Sequence, residues 1–349
     1  MEILIGLVLV VLAGLGTGTA AWPMKKIKEL HFEQYLFVFM LTGIIIYPWL
    51  VVAVEIPDLG GVIKTVGLKP LLISNLLSIC WGIANVLYLV CVVRIGAALT
   101  GAILSAAGMS VGVIMPMIFK GSGLFGNAPG LWSTAGIVIM VGLIVILIGV
   151  ALVSAAGFGR EKVLHQKTEL EKNKQASGSF RNGLVLVTLA GFLSSGLSLA
   201  FVYSQGPVIE AARSQGAGDM TANFTVWALC MLGGGLVNVL YAVFLMAKNN
   251  SWKRLFSRKD ELLYGSIIGL QFIGSIILLG RGMVLLGALG ASIGFAIQQS
   301  MQVIGNQLVG FIGGEWEGVH GKPRNTMYLA IAIILAAVII LAFSNTIKN

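Results

Sequence analysis

Gly183–Gly191 reads GLVLVTLAG, and Gly6–Gly14 reads GLVLVVLAG. Eight of nine positions agree across 177 residues in a chain of 349. A small apolar alphabet could match by chance, but here the bounding glycines keep register too. Each phrase opens an apolar run of the length, about 20 residues, that crosses the roughly 30 Å hydrocarbon core of a bilayer. The decisive question is therefore how many such runs separate the two phrases.

Ten candidate helices follow from the apolar runs, at 3–22, 34–55, 70–92, 97–119, 131–153, 182–204, 220–247, 262–280, 286–313 and 326–345. Gly or Pro punctuates most of the short loops between them. The phrase thus begins helices 1 and 6, and five helices lie in each half. Because five is odd, the second copy enters the membrane from the opposite face. The sequence predicts an all-α polytopic membrane protein of two inverted five-helix repeats, an arrangement that transporters use to alternate access. The halves are expected at 1–154 and 182–349, with a polar cytoplasmic linker at 155–181 and a short surface helix at Arg160–Lys174. Arg94 and Arg281 each close a helix and are read as charges that position helix ends.

Composition supports a membrane class. The chain is 57% hydrophobic and 11% charged, against roughly 25% charge in soluble domains. Its net charge of +9 is carried by loops, so nucleic acid is not an expected partner; the lipid bilayer is. Loops after helices 1, 3, 5, 7 and 9 hold 17 of the 23 Lys and Arg. The positive-inside rule then puts both termini outside the cell's inner (plasma) membrane. Glu2 before the first run, with Lys25, Lys26 and Lys28 after it, predicts a retained helix rather than a signal peptide. Cys80, Cys91 and Cys230 fall within the runs as buried thiols, without metal-type spacing.

Polar side chains at membrane depth mark the candidate site. On helix 3, Ser74, Ser78, Trp81, Asn85 and Tyr88 recur at spacings of 4, 3, 4 and 3, on one stripe. Helix 8 places Tyr264, Gln271 and Ser275 on one face. Helix 9 carries Gln298, Gln302 and Asn306 at i, i+4 and i+8, with Gln299 beside them and Gln307 pointing further away. One amide in such a helix is ordinary interhelical glue, a reading that suits Asn238. Five on one helix predict a hydrated cavity with a polar ligand. Amides and hydroxyls both donate and accept, and no Asp, Glu, Lys or Arg stands at mid-span. The expected cargo is small, neutral and hydroxyl-rich, as a sugar is. Gly108, Gly112, Gly290 and Gly294 are read as packing positions, and Pro48 and Pro116 as kinks near helix ends.

The stretches WPMKKIKELHFEQY, YPW, WGIAN with its following Tyr and Arg, GPVIEAA, GGG with its following Asn, and GEW occur in order from Trp22 to Trp316. In these the chain resembles the bacterial L-rhamnose–proton symporter family of the drug/metabolite transporter superfamily. The resemblance implies a ten-helix inner-membrane symporter with its N-terminus outside, importing a 6-deoxyhexose with a proton. It covers Glu33, Pro48, Trp49, Trp81, Gly82, Asn85, Tyr88, Arg94, Pro207, Glu210, Ala211, Gly233–Gly235, Asn238, Glu315 and Trp316. Pro207, Glu210 and Ala211 are expected in the loop after helix 6. Helices 8 and 9 depart from the family pattern, which is richer in aromatics there, and the amide cluster of helix 9 is this chain's own, so a related monosaccharide is the alternative cargo.

Proton coupling requires a titratable group, and the candidates are Glu33, Glu55, Glu210, Glu315 and His31, each also readable as a solvated charge at a helix end. Sodium coupling, uniport and a non-transporting sugar sensor are the competing readings. With no HExxH, no Cys/His metal set and no paired buried carboxylates, no enzyme, metal or cofactor is expected.

Overall fold

In a computed structural model, the described residues are 2–24, 26–95, 97–119, 129–165, 177–287 and 290–344. Among them every regular element is a helix. The long ones are α1 (Glu2–Thr19), α2 (Phe32–Glu55), α3 (Leu68–Ile95), α4 (Ala97–Ile118) and α5 (Thr134–His165). They continue with α6 (Ser177–Ser194, then Gly196–Ser214), α7 (Asp219–Cys230, then Leu232–Lys248), α8 (Lys259–Leu285), α9 (Phe295–Ile312) and α10 (Lys322–Ser344). Among the described residues eight helices are long and apolar enough to cross a membrane, nine if the two parts of α7, bent by 49°, are one span. The helix short of that measure is α9, whose amides lower its hydropathy. It is buried along much of its length, so it needs no apolar surface all round. Lipid-facing side chains sit elsewhere, as in exposed Leu72, Ile144, Val185, Leu240 and Ile339, a belt suited to hydrocarbon rather than water.

The packing order is regular. α1 lies against α8 and α9, α6 against α3 and α4, α2 against α8, and α7 against α3. α5 and α10 pair with each other to one side. Glycines permit the closest approaches. A Cβ built on Gly14 of α1 would stand 2.5 Å from Met301 Cβ on α9, and one on Gly191 of α6 would stand 2.5 Å from Ala107 Cβ on α4. Gly6 meets Leu285 near the end of α8, and Gly183 meets Ile95 at the end of α3. The repeated phrase is thus a repeated contact surface.

Two helices depart from regular α geometry where glycines cross. In α2 the chain widens over Leu41–Ile46, where the Tyr47 N–H reaches the Thr42 carbonyl five residues back. A wide turn of this kind absorbs a residue ahead of Pro48, which has no N–H to donate. Gly43 there abuts Gly269 of α8. In α7 the helix breaks at Met231, ahead of Gly233–Gly235, and Gly234 abuts Gly82 of α3.

Several expectations change. Helix 6 does not end at 204; it resumes after Ser195 and runs to Ser214, so Pro207, Glu210 and Ala211 are helical rather than in a loop. The linker expected at 155–181 is narrower, because α5 continues through His165 and α6 begins at Ser177. Arg160 therefore belongs to α5. Residues 166–176, and with them part of the expected surface helix, lie outside the described residues.

Candidate functional site

α1, α2, α3, α8 and α9 converge on a cavity of about 390 Å³, within the roughly 300–1,000 Å³ of small-ligand sites. α3 contributes Trp81, Asn85 and Tyr88; α9 contributes Gln298, Gln299 and Gln302. The stripe spacing of each helix explains the convergence, since i, i+4 positions share a face. Trp81 lies roughly parallel to Phe272 of α8, with centroids 6.4 Å apart. Phe39 of α2 meets Phe272 edge-on at 5.4 Å, and Tyr35 stacks on Phe39 at 5.9 Å. The lining therefore combines a cluster of aromatic rings with a row of amides. Gln298 Nε2 donates to Thr17 Oγ1 and to Gln302 Oε1, each at 3.3 Å, which orients the amide row. No described residue lining this cavity carries a charge.

A second cavity of about 290 Å³ shares Tyr88 with the first. Asn306 and Gln307 continue the amide row into it, and Arg160, Glu161 and Glu315 stand at its edge. Arg160 Nη1 donates to Glu315 Oε2 at 2.8 Å, and its guanidinium lies over Trp316, 5.5 Å from the ring centre. Together the cavities make a polar track along α3 and α9.

Six of the residues singled out by sequence thus share one cavity, namely Trp81, Asn85, Tyr88, Gln298, Gln299 and Gln302. Asn306 belongs to the adjoining one. Ser78 and Gln271 are not among the residues lining this cavity. Ser78 is fully buried and its Oγ accepts from the Gly234 N–H at 2.8 Å, so it serves the break in α7. Gln271 donates to the Gly16 carbonyl at 2.8 Å and to Thr19 Oγ1 at 3.0 Å, so it joins α8 to α1.

Sequence reasoning missed Asn75. Its Nδ2 donates to the Leu229 carbonyl at 2.9 Å while its Oδ1 accepts from the Gly233 N–H at 2.8 Å. The two free ends of the broken helix are thereby satisfied. Thr17 and Ser194, which line the cavity from α1 and α6, were also missed. Both stand at the same place after the repeated phrase, 177 positions apart, and that register was the available signal.

The acidic candidates separate by burial. Glu33 is 5% exposed and accepts from Ser251 Oγ at 2.9 Å and Asn249 Nδ2 at 3.2 Å. It is not a solvated charge. Its neighbours Phe32 and Tyr35 line the cavity. His31 is exposed, with Nδ1 3.9 Å from Glu33 Oε1. Glu55, Glu210 and Glu315 are exposed, and Glu315 is bridged to Arg160. Neither Arg94 nor Arg281 lines either cavity.

Comparison with known proteins is consistent with this geometry. A family model described as L-rhamnose-proton symport protein matches residues 1–345. A Cronobacter sakazakii protein named L-rhamnose-proton symporter is 27% identical over 322 residues, covering 90% of each chain. Proteins of the same name from Shigella dysenteriae serotype 1 and Escherichia coli O17:K52:H18 are each 26% identical over 323 residues, again covering 90% of each chain.

Proposed function

The chain belongs to the L-rhamnose-proton symport protein family, and from that premise we propose that it imports L-rhamnose or a related neutral sugar together with a proton. The observation that carries the substrate class is the cavity without a charged lining residue among those described, which brings aromatic rings and amides together. Aromatic faces cover the apolar C–H surfaces of a sugar ring, while amides that donate and accept match its hydroxyls.

Transport proceeds by alternating access between two inverted five-helix repeats in a ten-helix bundle of the inner membrane, a fold of the drug/metabolite transporter superfamily. The matched contacts support this reading. α1 meets α8 and α9 as α6 meets α3 and α4, and Gly14 and Gly191 fill matching roles. α9 then counts as a span whose polar face never meets lipid. Basic loops place the termini outside, so the edge of the smaller cavity, at Arg160 and Glu315, faces the cytoplasm and the conformation is inward-facing.

Glu33 is the proton site. Its carboxylate is a buried acceptor tied to the α7–α8 loop, one residue from the cavity wall. A proton gained on Oε2 would remove the negative charge that both hydrogen bonds to Oε1 rest on, weakening the tie that holds α2 to this loop.

The test is uptake of labelled monosaccharides, L-rhamnose first, into proteoliposomes under an imposed pH gradient. Accumulation should follow the gradient. Uptake that ignores it would refute proton coupling, and a panel with no sugar taken up would refute the whole reading.

A further inference from the structure

The floor of the large cavity is apolar, formed by Leu197 of α6, Ile276 and Leu279 of α8, and Phe295 of α9. One step beyond it, polar groups reappear. Phe201 is one turn past Leu197, and Gly280 follows Leu279. Against them α7 sets Asn223, 2% exposed, and Trp227, fully buried. Both side-chain atoms of Asn223 and the Trp227 Nε1 have no hydrogen-bond partner among the described residues. Trp227 stacks on Phe201 at 4.3 Å. A Cβ on Gly280 would collide with both Asn223 Oδ1 and Trp227 Nε1, so these groups converge on the one position without a side chain.

Buried amides and indole N–H groups are almost always paired, because leaving them unpaired is destabilising. Three such atoms in one place ask for a state in which they are used. The glycine crossings supply the register. Gly43 meets Gly269, and Gly234 meets Gly82; Gly269 and Gly82 are separated by 187 positions, as Arg281 and Arg94 are. Gly43 and Gly234 are separated by 191, and so are Phe32 and Asn223, and Leu36 and Trp227. Phe32 and Leu36 line the open cavity. Their counterparts across the repeat are therefore the closed wall of the opposite face.

Resting on the transport reading above, we infer that Asn223 and Trp227 bind the sugar in the outward-facing state, as the half-site that the present conformation buries. The amide of Asn223 can donate to one hydroxyl and accept from another, and the indole N–H donates to a third. The ligand class is a neutral polyhydroxylated ring. Closing the outer face withdraws these groups from the sugar, and the amide row of α9 takes over its hydroxyls.

The experiment measures half-saturation for L-rhamnose on each face, in right-side-out and inside-out vesicles, for Trp227→Phe and Asn223→Ala. Trp227→Phe keeps the stack on Phe201 and removes only the N–H. The external half-saturation should rise roughly three- to tenfold, the worth of one hydrogen bond, while the internal value stays within about twofold. An unchanged external value, or an equal rise on both faces, would overturn the inference. If the unmodified protein takes up no L-rhamnose, the transport reading has failed, and a second arm then decides this one. Asn223→Cys, with Cys80, Cys91 and Cys230 replaced by Ala, should react with a membrane-impermeant maleimide added outside. Absence of labelling would overturn the proposal.

Discussion

At the first glycine crossing α2 widens its turn over Leu41–Ile46 and keeps bonding within its own backbone. At the second, α7 breaks at Met231 and hands its free N–H and C=O groups to Asn75 and Ser78 of α3. The two crossings occupy matching places in the proposed repeats, yet the widened turn of α2 bonds within its own helix and the break in α7 depends on a neighbour. On the proposed repeat, the crossing is common to both halves while each half meets the backbone's hydrogen-bond demand with its own residues. In hydrocarbon that demand is unavoidable, because no water is present to meet it.

The crossing glycines give the most drastic way to break the comparison. Gly82→Leu and Gly269→Leu each force a side chain against the backbone of Gly234 or Gly43. Overpacking costs roughly 1–3 kcal/mol and occasionally more, and with backbone on the receiving side the upper end applies. Both variants should yield little monodisperse protein by size-exclusion chromatography in detergent. A large loss for one and not the other would mean that the two crossings are not equivalent.

Asn75→Ala sharpens the contrast. It leaves the Gly233 N–H without its acceptor and the Leu229 carbonyl without a donor, at about 1–3 kcal/mol for each buried group. The detergent melting temperature should fall clearly, whereas the widened turn of α2, which bonds within its own helix, offers no corresponding site. Ser78→Ala removes a single acceptor and should show about half the effect. If Asn75→Ala melts like the parent, the break in α7 is held by something other than α3.

These residues also show what the sequence made legible. Periodicity placed Trp81, Asn85 and Tyr88 on one face of α3 and Gln298 and Gln302 on one face of α9, and both faces do border the cavity. Periodicity gives a face, though, and does not say which neighbour that face meets. Ser78 lies on the stripe but opposite α7, and Gln271 turns toward α1. Asn75, one position off the stripe, performs the most demanding backbone task. The bend in α7 was foreshadowed only by three consecutive glycines, and the burial of Glu33 depends on a loop more than 200 residues away. The continuation of α6 past Pro207 was hidden because Pro207, Glu210, Arg213 and Ser214 interrupt the apolar run, leaving only Val208, Ala211 and Ala212 buried there.

The binding face offers a comparison of its own. Asn85 of α3 and Phe272 of α8 stand 187 positions apart, and both line the cavity. One half supplies an amide there and the other a ring. Asn85→Ala should raise the half-saturation for L-rhamnose roughly three- to tenfold, as expected for a lost hydrogen bond. Gln298→Ala should do the same, with normal melting for Asn85→Ala and a slight drop for Gln298→Ala, which also loses the bond to Thr17 of α1. Phe272→Ala should weaken binding and lower the melting temperature together, because Trp81 and Phe39 lean on that ring. Normal uptake by both amide variants would remove the cavity from the transport path.

The smallest effect is expected where one half is given the other's residue. The position in α3 that matches Gln271 is Ala84, fully buried and 187 positions away. Gln271→Ala therefore restores the first half's choice and deletes two hydrogen bonds to α1. Interhelical bonds of this type in membranes average about 0.6 kcal/mol, so the melting temperature should drop slightly. Half-saturation for sugar should not move, since Gln271 is absent from the cavity wall. A change in affinity without a change in melting would return Gln271 to the binding face, where its helical stripe alone would have put it.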